Sequence, residues 1–499
     1  MRHRAFPVAL DLALLWTWSV VFTFLPSWLS GIPARNLLSS DAEYYAAVTQ
    51  RLIGSTTPTV DAALATDLLP VSEQAFLITL ADIARAVHVE LLDAWVVYEL
   101  IAAMLFAAAL YWLLIDVTRS RRISVIAAVV LSLGVHALGG SVFGFEPRGF
   151  IPRDLALGVA VVVVKLHTHA GSDRQKAAIF LTCGILANAY SVLFAHLVGV
   201  LLLVELARRP RSAPTVVGFA VLAILGAAPT VVDVLATRIV TAPPDPDIYR
   251  LRASYVLVTP LSATVVQYLR RPLLAFAAIL ALFVLCRGRW TSDERARLMP
   301  FFAIAIAAAA VAATGVALEQ GTPLARLLAS RASVFLILAS VPLSLVGAPL
   351  ALRGRISNHG LVGVGLAFAF LAIQSNVLTD VRSITSGLET REERLDLLRA
   401  ATELRLETAD GDVFMAPSSD AQDVAAALRT YAGRPAFVTY KDLGIVFYDG
   451  ARARDLFDRW MQSEIALGSD RQVLMDFMAA HGVRAAVVKS GTHYEVVVR

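Results

Sequence analysis

The sequence predicts an α-helical polytopic membrane protein, with about eleven transmembrane helices and a small C-terminal extracytoplasmic α/β domain. Three observations predict it. Hydrophobic residues make up 57% of the 499 and charged residues 17%, and the mean hydropathy is +0.66, too apolar for an ordinary soluble fold. Apolar runs near the ~20 residues that a bilayer core requires recur from Phe6 to Val381. Beyond Asp380 they give way to alternating charges and then to a strand-and-helix pattern. The chain therefore divides into a transmembrane domain, 1–380, and a soluble domain, 381–499.

The first stretch, MRHRAFPVALDLALLWTWSVVFTFLPSWL, starts basic and is too long and aromatic for a signal-peptide core. It reads as an uncleaved first span, about Phe6 to Leu29. A polar interval, 30–92, follows as the first outer loop and contains two amphipathic stretches, Asp41 to Ile53 and Ser72 to Val89. Span two, Asp93 to Val117, ends at Arg119, Arg121 and Arg122; span three, Ile123 to Phe145, delivers the loop EPRGFIPRD. A short span, Leu155 to His167, leads to GSDRQK. The next run, Ala177 to Ala207, exceeds one helix and breaks at NAYS, Asn188 to Ser191. Further spans are expected at Pro214 to Leu235, Pro272 to Cys286, Pro300 to Leu318, Ser333 to Leu352 and Leu361 to Leu378.

Arginines cluster at alternate loop ends, which sets the N-terminus in the cytoplasm. With an odd number of spans the tail then lies outside, on the side of Asp41. Its pattern is a charged helix, TREERLDLLRAATELRLE, then a strand (Val413 to Ala416), a helix (Asp420 to Tyr431) and a strand (Ala436 to Tyr440). Two helices (Ala451 to Gln462, Arg471 to His481) and two strands (Ala485 to Lys489, Tyr494 to Val498) complete it.

The net charge of +4 rests on arginine, since lysine occurs only at Lys165, Lys176, Lys441 and Lys489. That bias is characteristic of a GC-rich bacterial genome, and a multi-pass position in the bacterial inner (plasma) membrane is expected. No nucleic-acid motif is present; the basic groups lie in short loops that anchor topology among membrane lipids. Cys183 and Cys286 both fall in apolar runs, where a disulfide framework is not expected, and no metal-ligand cluster in the sequence uses them.

The stretch SSDAEYYAAVTQRL, Ser39 to Leu52, is where chemistry is expected. Asp41 and Glu43 stand beside Tyr44 and Tyr45 at the start of a surface helix. Asp41 reads equally well as a reactive carboxylate and as a helix N-cap. Arg148 and Arg153 flank the turn Gly-Phe-Ile-Pro and could clamp a phosphate or reach lipid headgroups. Arg331, with Arg326 before it, could reach the same anion or serve as an interfacial anchor. Asp11 and Glu99 lie inside spans and need polar partners there. His196 and His136 could line a cavity or pack within the bundle, and Lys441 with Asp442 sits at a strand end, where ligands bind in α/β layers.

Asp41 with Glu43 just after span one, the long helical first loop, the paired short helices around Asn188 and the outer α/β tail together resemble the GT-C superfamily of membrane glycosyltransferases. The resemblance implies a sugar taken from a polyprenyl-phosphate-linked lipid and moved to an extracytoplasmic acceptor. It also implies that Asp41 acts as general base on the acceptor or helps to hold a divalent cation, Mg or Mn, with Glu43 as its second carboxylate. Thr402 to Asp442 looks like the outer domains of oligosaccharyltransferase catalytic subunits, but their WWDYG signature is absent, which argues against peptide glycosylation. Two other classes compete: a transporter or lipid flippase, disfavoured because no internal repeat is visible, and a non-catalytic envelope scaffold. Sugar, acceptor and oligomeric state are not written in the sequence.

Overall fold

The computed structural model of the protein describes residues 2–54, 71–132, 135–136, 142–143, 149–238, 290–319, 329–347, 391–419, 423–447, 450–491 and 493–499, with isolated positions at 248, 277, 280, 281, 284 and 349. Helix α1, Arg2–Ser30, is the first span. Two helices, α2 (Ser40–Leu52) and α3 (Val71–Ala86), stand where the amphipathic stretches are expected. Helix α2 is not the surface helix expected there: it is covered by the tail, and Ala42, Glu43, Ala46, Ala47, Val48 and Thr49 are buried. Then come α4 (Leu91–Thr118), α5 (Arg121–Ser132), α6 (Pro152–His169), α7 (Asp173–Ala187), α8 (Ser191–Arg208), α9 (Ala213–Gly226) and α10 (Ala228–Arg238). The described membrane segment closes with α11 (Ser292–Glu319) and α12 (Ser333–Pro342), which runs on as a π-helical turn to Gly347.

Among the described residues four helices, α1, α4, α8 and α11, are long and apolar enough to cross a membrane. Helices α9 and α10 add a fifth span if the pair, bent by 76°, is counted as one. The chain is thus a multi-pass membrane protein. Of the remaining expected spans, Leu361 to Leu378 lies outside the described residues and Pro272 to Cys286 is described only at isolated positions. The expected third span stops early. Helix α5 ends at Ser132, and the short strands β1 (Val135–His136) and β2 (Val142–Phe143) pair antiparallel beyond it.

The bundle is locked by close backbone approach and by buried polar pairs. A Cβ on Gly184 would lie 2.0 Å from the Ala223 carbonyl oxygen, and one on Gly226 would lie 2.5 Å from that of Leu181, so α7 and α9 touch backbone to backbone. Asn188 then fills the bend between α9 and α10, donating to the Gly226 carbonyl at 2.9 Å and accepting from the Thr230 hydroxyl at 2.9 Å. Asp11 in α1 accepts from Arg121 at 2.7 Å and from the Tyr111 hydroxyl at 2.6 Å, which meets the expected need of an intramembrane acid for partners. Lys176 and Glu205 pair at 2.6 Å, with His167 3.2 Å from the same carboxylate.

The tail opens with α13, Arg391–Glu407, followed by β3 (Val413–Met415), α14 (Val424–Ala432), α15 (Gly450–Leu467), α16 (Arg471–Ala480), β4 (Val483–Ser490) and β5 (His493–Val498). Its sheet runs in the order β3, β4, β5, parallel between the first two and antiparallel between the last. The expected strand from Ala436 to Tyr440 is reduced to a bridge between Ala436 and Phe414, after which Tyr440–Phe447 winds into a 3-10 helix. Leu397, Leu404, Phe414, Leu428 and Val487 form a separate core, whereas Met415, Phe437 and Val438 join the larger core that continues into the transmembrane helices. The tail is therefore seated on the membrane unit.

Candidate functional site

Local sequence chemistry decides how Asp41 is presented. The side chain of Ser39 accepts from the Ala42 amide at 3.3 Å and caps α2, so the N-cap reading of Asp41 gives way to Ser39. Asp41 occupies the first turn instead. Its carboxylate, about half exposed, forms an ion pair and hydrogen bond with the Lys441 ammonium from the tail.

Glu43 goes elsewhere. It is 3% exposed and accepts from Arg394 of α13 at 2.8 Å. Arg394 also donates to the Asn36 carbonyl at 2.6 Å and to the Tyr431 hydroxyl at 2.7 Å, and its guanidinium lies 5.0 Å from the Tyr431 ring centre. The Thr430 hydroxyl donates to the Glu43 carbonyl at 2.8 Å. Burial pushes the Glu43 carboxyl above its ordinary range, against the opposing pull of Arg394. Asp41 and Glu43, two residues apart, thus point into different surroundings.

A second carboxylate that acts on the same tyrosines as Asp41 comes from α3. Glu73, buried in the first turn of that helix, accepts from the Ser191 amide at 2.8 Å and so ties α3 to the start of α8. Tyr190 precedes Ser191 at the NAYS break. Its phenol is raised by burial, pulled down by Arg331 and Arg153, and pushed up by Glu73 and Asp41. Tyr45 is raised well above its ordinary value, chiefly by burial and then by Tyr190, Glu73 and Asp41. Asp41 and Glu73 therefore bear on both Tyr45 and Tyr190, and Arg153 and Arg331 bear on Tyr190, from the first turns of α2, α3 and α6 and from the turn Ala329–Ala332 before α12.

The loop before α6 is held there by its glycine and its aromatic residue. Gly149 has φ +101°, and a Cβ on it would meet Leu38 Cδ2 at 2.5 Å and Ala42 Cβ at 2.9 Å, so only glycine lets this loop lie against the start of α2. Its amide donates to the buried Glu99 carboxylate. Phe150 packs edge-on against Trp95 and Tyr98 with ring centres 5.8 Å from each. Pro152 then starts α6, and Arg153 follows with its side chain 12% exposed and 3.6 Å from Asp154.

Arg331, partly buried, lies in the 3-10 turn Ala329–Ala332 that feeds α12. His196 is buried, about 7 Å further along α8 than Ser191 at the rise of an α-helix. Arg148, with Arg326, lies outside the described residues. Asp442 is occupied in the tail itself, bound by both arms of Arg429 at 2.8 and 3.0 Å.

Sequence reasoning overlooked Glu73, Tyr190 and the reach of Lys441. An acid opening the second amphipathic stretch, an aromatic residue at the helix break and one of four lysines among 44 basic residues were the signals available. Among the described residues no three histidine, cysteine or carboxylate side chains come together as a metal-ligand set. Two carboxylates, Asp41 and Glu73, and two guanidiniums, Arg153 and Arg331, all act on the Tyr190 phenol. Such a set can take a proton and hold an anion.

No family model matches the chain, and no curated protein matches it in sequence. Among solved structures it is similar to the arabinofuranosyltransferase AftD from mycobacteria, with 17% identity and a TM-score of 0.44 over 96% of this chain. The chain spans 35% of that protein's length.

Proposed function

We propose that the protein is a membrane glycosyltransferase that moves a sugar from a polyprenyl-phosphate-linked donor to an extracytoplasmic acceptor. The observation that supports this reading is the shared neighbourhood of Asp41, Glu73, Arg153 and Arg331 around Tyr190. Glycosyl transfer needs both halves of that arrangement. The acceptor hydroxyl oxygen attacks the anomeric carbon and its proton passes to Asp41; the bond from that carbon to the phosphate oxygen breaks, and the phosphate leaves with the electron pair. Arg153 and Arg331 stabilise the charge that develops there. Arg148, five residues before Arg153 in the sequence, is assigned the same role, and His196 of α8 is assigned to substrate binding. Glu43 serves the site by seating the tail on α2.

Transport is the weaker reading because the bend between α9 and α10, the kind of break at which transporters bind substrate, is filled by Asn188. The test is transfer from a radiolabelled polyprenyl-phosphate sugar by the full chain in lipid nanodiscs. Asp41→Asn removes the proton acceptor and keeps the size of the side chain. The expected loss is on the order of 10²-fold in kcat with donor binding retained. Undiminished transfer by Asp41→Asn would remove the catalytic assignment.

A further inference from the structure

Asp41, Glu73, Arg153 and Arg331 come from the segment before the tail, whereas Lys441, which pairs with Asp41, comes from the tail. It sits at the second position of the 3-10 helix Tyr440–Phe447, and its backbone is fixed from several directions. The Lys441 amide donates to Asp423 at 3.2 Å, the Tyr440 amide donates to Ser418, and Asp442 beside it is clamped by Arg429. Asp423 is itself buried, capping α14 through the Ala426 amide at 3.0 Å and accepting from the Ser418 hydroxyl at 2.6 Å. So rigid a mount on a side chain that is only 22% exposed is out of proportion to a surface ion pair, which contributes little to stability.

The pair is also a poor resting place for a base. A carboxylate that accepts from an ammonium holds a proton less readily than a lone one, and Lys441 occupies Oδ1 of Asp41. Arg153 and Arg331 act on the same tyrosine, Tyr190, as Asp41 does, and guanidiniums draw an entering phosphate.

We propose that Lys441 is a positioning residue with two stations, resting on Asp41 when the site is empty and passing to the donor phosphate when the donor enters. This rests on the transferase reading above. Donor binding then does two things at once: it gains the lysine as a phosphate ligand and it uncovers Asp41 for the acceptor. The tail thereby links the occupied site to the exposed base.

The test measures binding of geranylgeranyl phosphate, a short polyprenyl phosphate, to the full chain in nanodiscs. Inorganic phosphate and vesicles of phosphatidylglycerol serve as the two competitors. Wild type that fails to bind the polyprenyl phosphate refutes the transferase reading itself. Where wild type binds, Lys441→Ala is expected to weaken binding about tenfold, the equivalent of ~1.4 kcal/mol for one charged contact. Lys441→Arg is expected to restore most of it. Asp41→Asn, which releases the lysine, is expected to tighten binding severalfold, and this gain should vanish in the Lys441→Ala background.

Equal affinity in wild type and Lys441→Ala, with melting temperatures alike, overturns the proposal and leaves the transferase reading standing. So does an Asp41→Asn gain that survives without the lysine. Competition by phosphatidylglycerol vesicles as strong as by inorganic phosphate would show a headgroup anchor, and would overturn it as well.

Discussion

At the scale of single residues, charge is the clearest lever. Arg153 and Arg331 both bear on Tyr190 and come from different elements, so neither can replace the other. Arg153→Ala and Arg331→Ala are each expected to raise the KM for a polyprenyl-phosphate donor about tenfold with a smaller effect on kcat. The double variant should lose less than the product of the two, because groups sharing one ligand couple. Steady-state kinetics against donor concentration read this directly. A second expectation concerns Asp396, 17% exposed, whose carboxyl is held below its ordinary range: burial raises it, and Arg399 at 2.9 Å with the Tyr494 amide outweighs that. A depressed carboxylate stabilises the fold above its unfolded pKa and ceases to do so as pH falls through the folded value. Asp396→Asn should therefore lower the melting temperature at pH 7, by an amount equivalent to roughly 1–2 kcal/mol, and the gap to wild type should close below pH 4. The pairing of Asp41 with Lys441 and the bond from the Ser191 amide to Glu73 were not legible in the sequence, because each joins residues more than a hundred positions apart that only folding brings together.

At the scale of elements, periodicity and helix signals located α2 and α3, the break at NAYS and most of the tail, because those depend on neighbours in sequence. The turn at β1 and β2 was missed. The signal for it was present in Gly139, Gly140 and Ser141 and was outweighed by the apolar residues on either side, which read as one continuous span. The pairing of α7 with α9 was silent, since it rests on two glycines that read as ordinary inside apolar runs. Gly184→Leu should therefore drive α7 off the Ala223 backbone and destabilise the bundle by about 1–3 kcal/mol or more, seen as a loss of folded protein in detergent. Gly149→Ala acts nearer the chemistry. It combines strain at φ +101° with a clash against Leu38 and Ala42, so the loop should lift from α2 and carry Arg153 with it. The expected signature is a rise in donor KM similar to that of Arg153→Ala; a variant with native kinetics would detach the loop from the site.

At the scale of the whole molecule, the question is what makes a tail that follows all the membrane segments act on a loop that precedes most of them. Arg394 carries much of that connection. It binds Glu43, the Asn36 carbonyl and the Tyr431 hydroxyl together, joining α13 and α14 to the entrance of α2. Replacing it with alanine leaves a buried carboxylate without its counter-charge, the kind of loss that costs about 3–5 kcal/mol. Lysine should not rescue it, because one ammonium cannot reproduce a planar fork that meets three acceptors. The tail has its own core of Leu397, Leu404, Phe414, Leu428 and Val487, so Arg394→Ala should loosen the seam before it melts the domain. Hydrogen exchange is then expected to rise in α2 and α14 together while the β4–β5 pair stays protected. Transfer should fall with it, since Lys441 and Asp41 depend on the same seating. Exchange confined to α13, with α2 unchanged, would mean that the large core running from Met415 and Phe437 into the transmembrane helices seats the tail by itself. In that case Glu43 and Arg394 would be a redundant pair, and the link between tail and site would have to be sought in Lys441 alone.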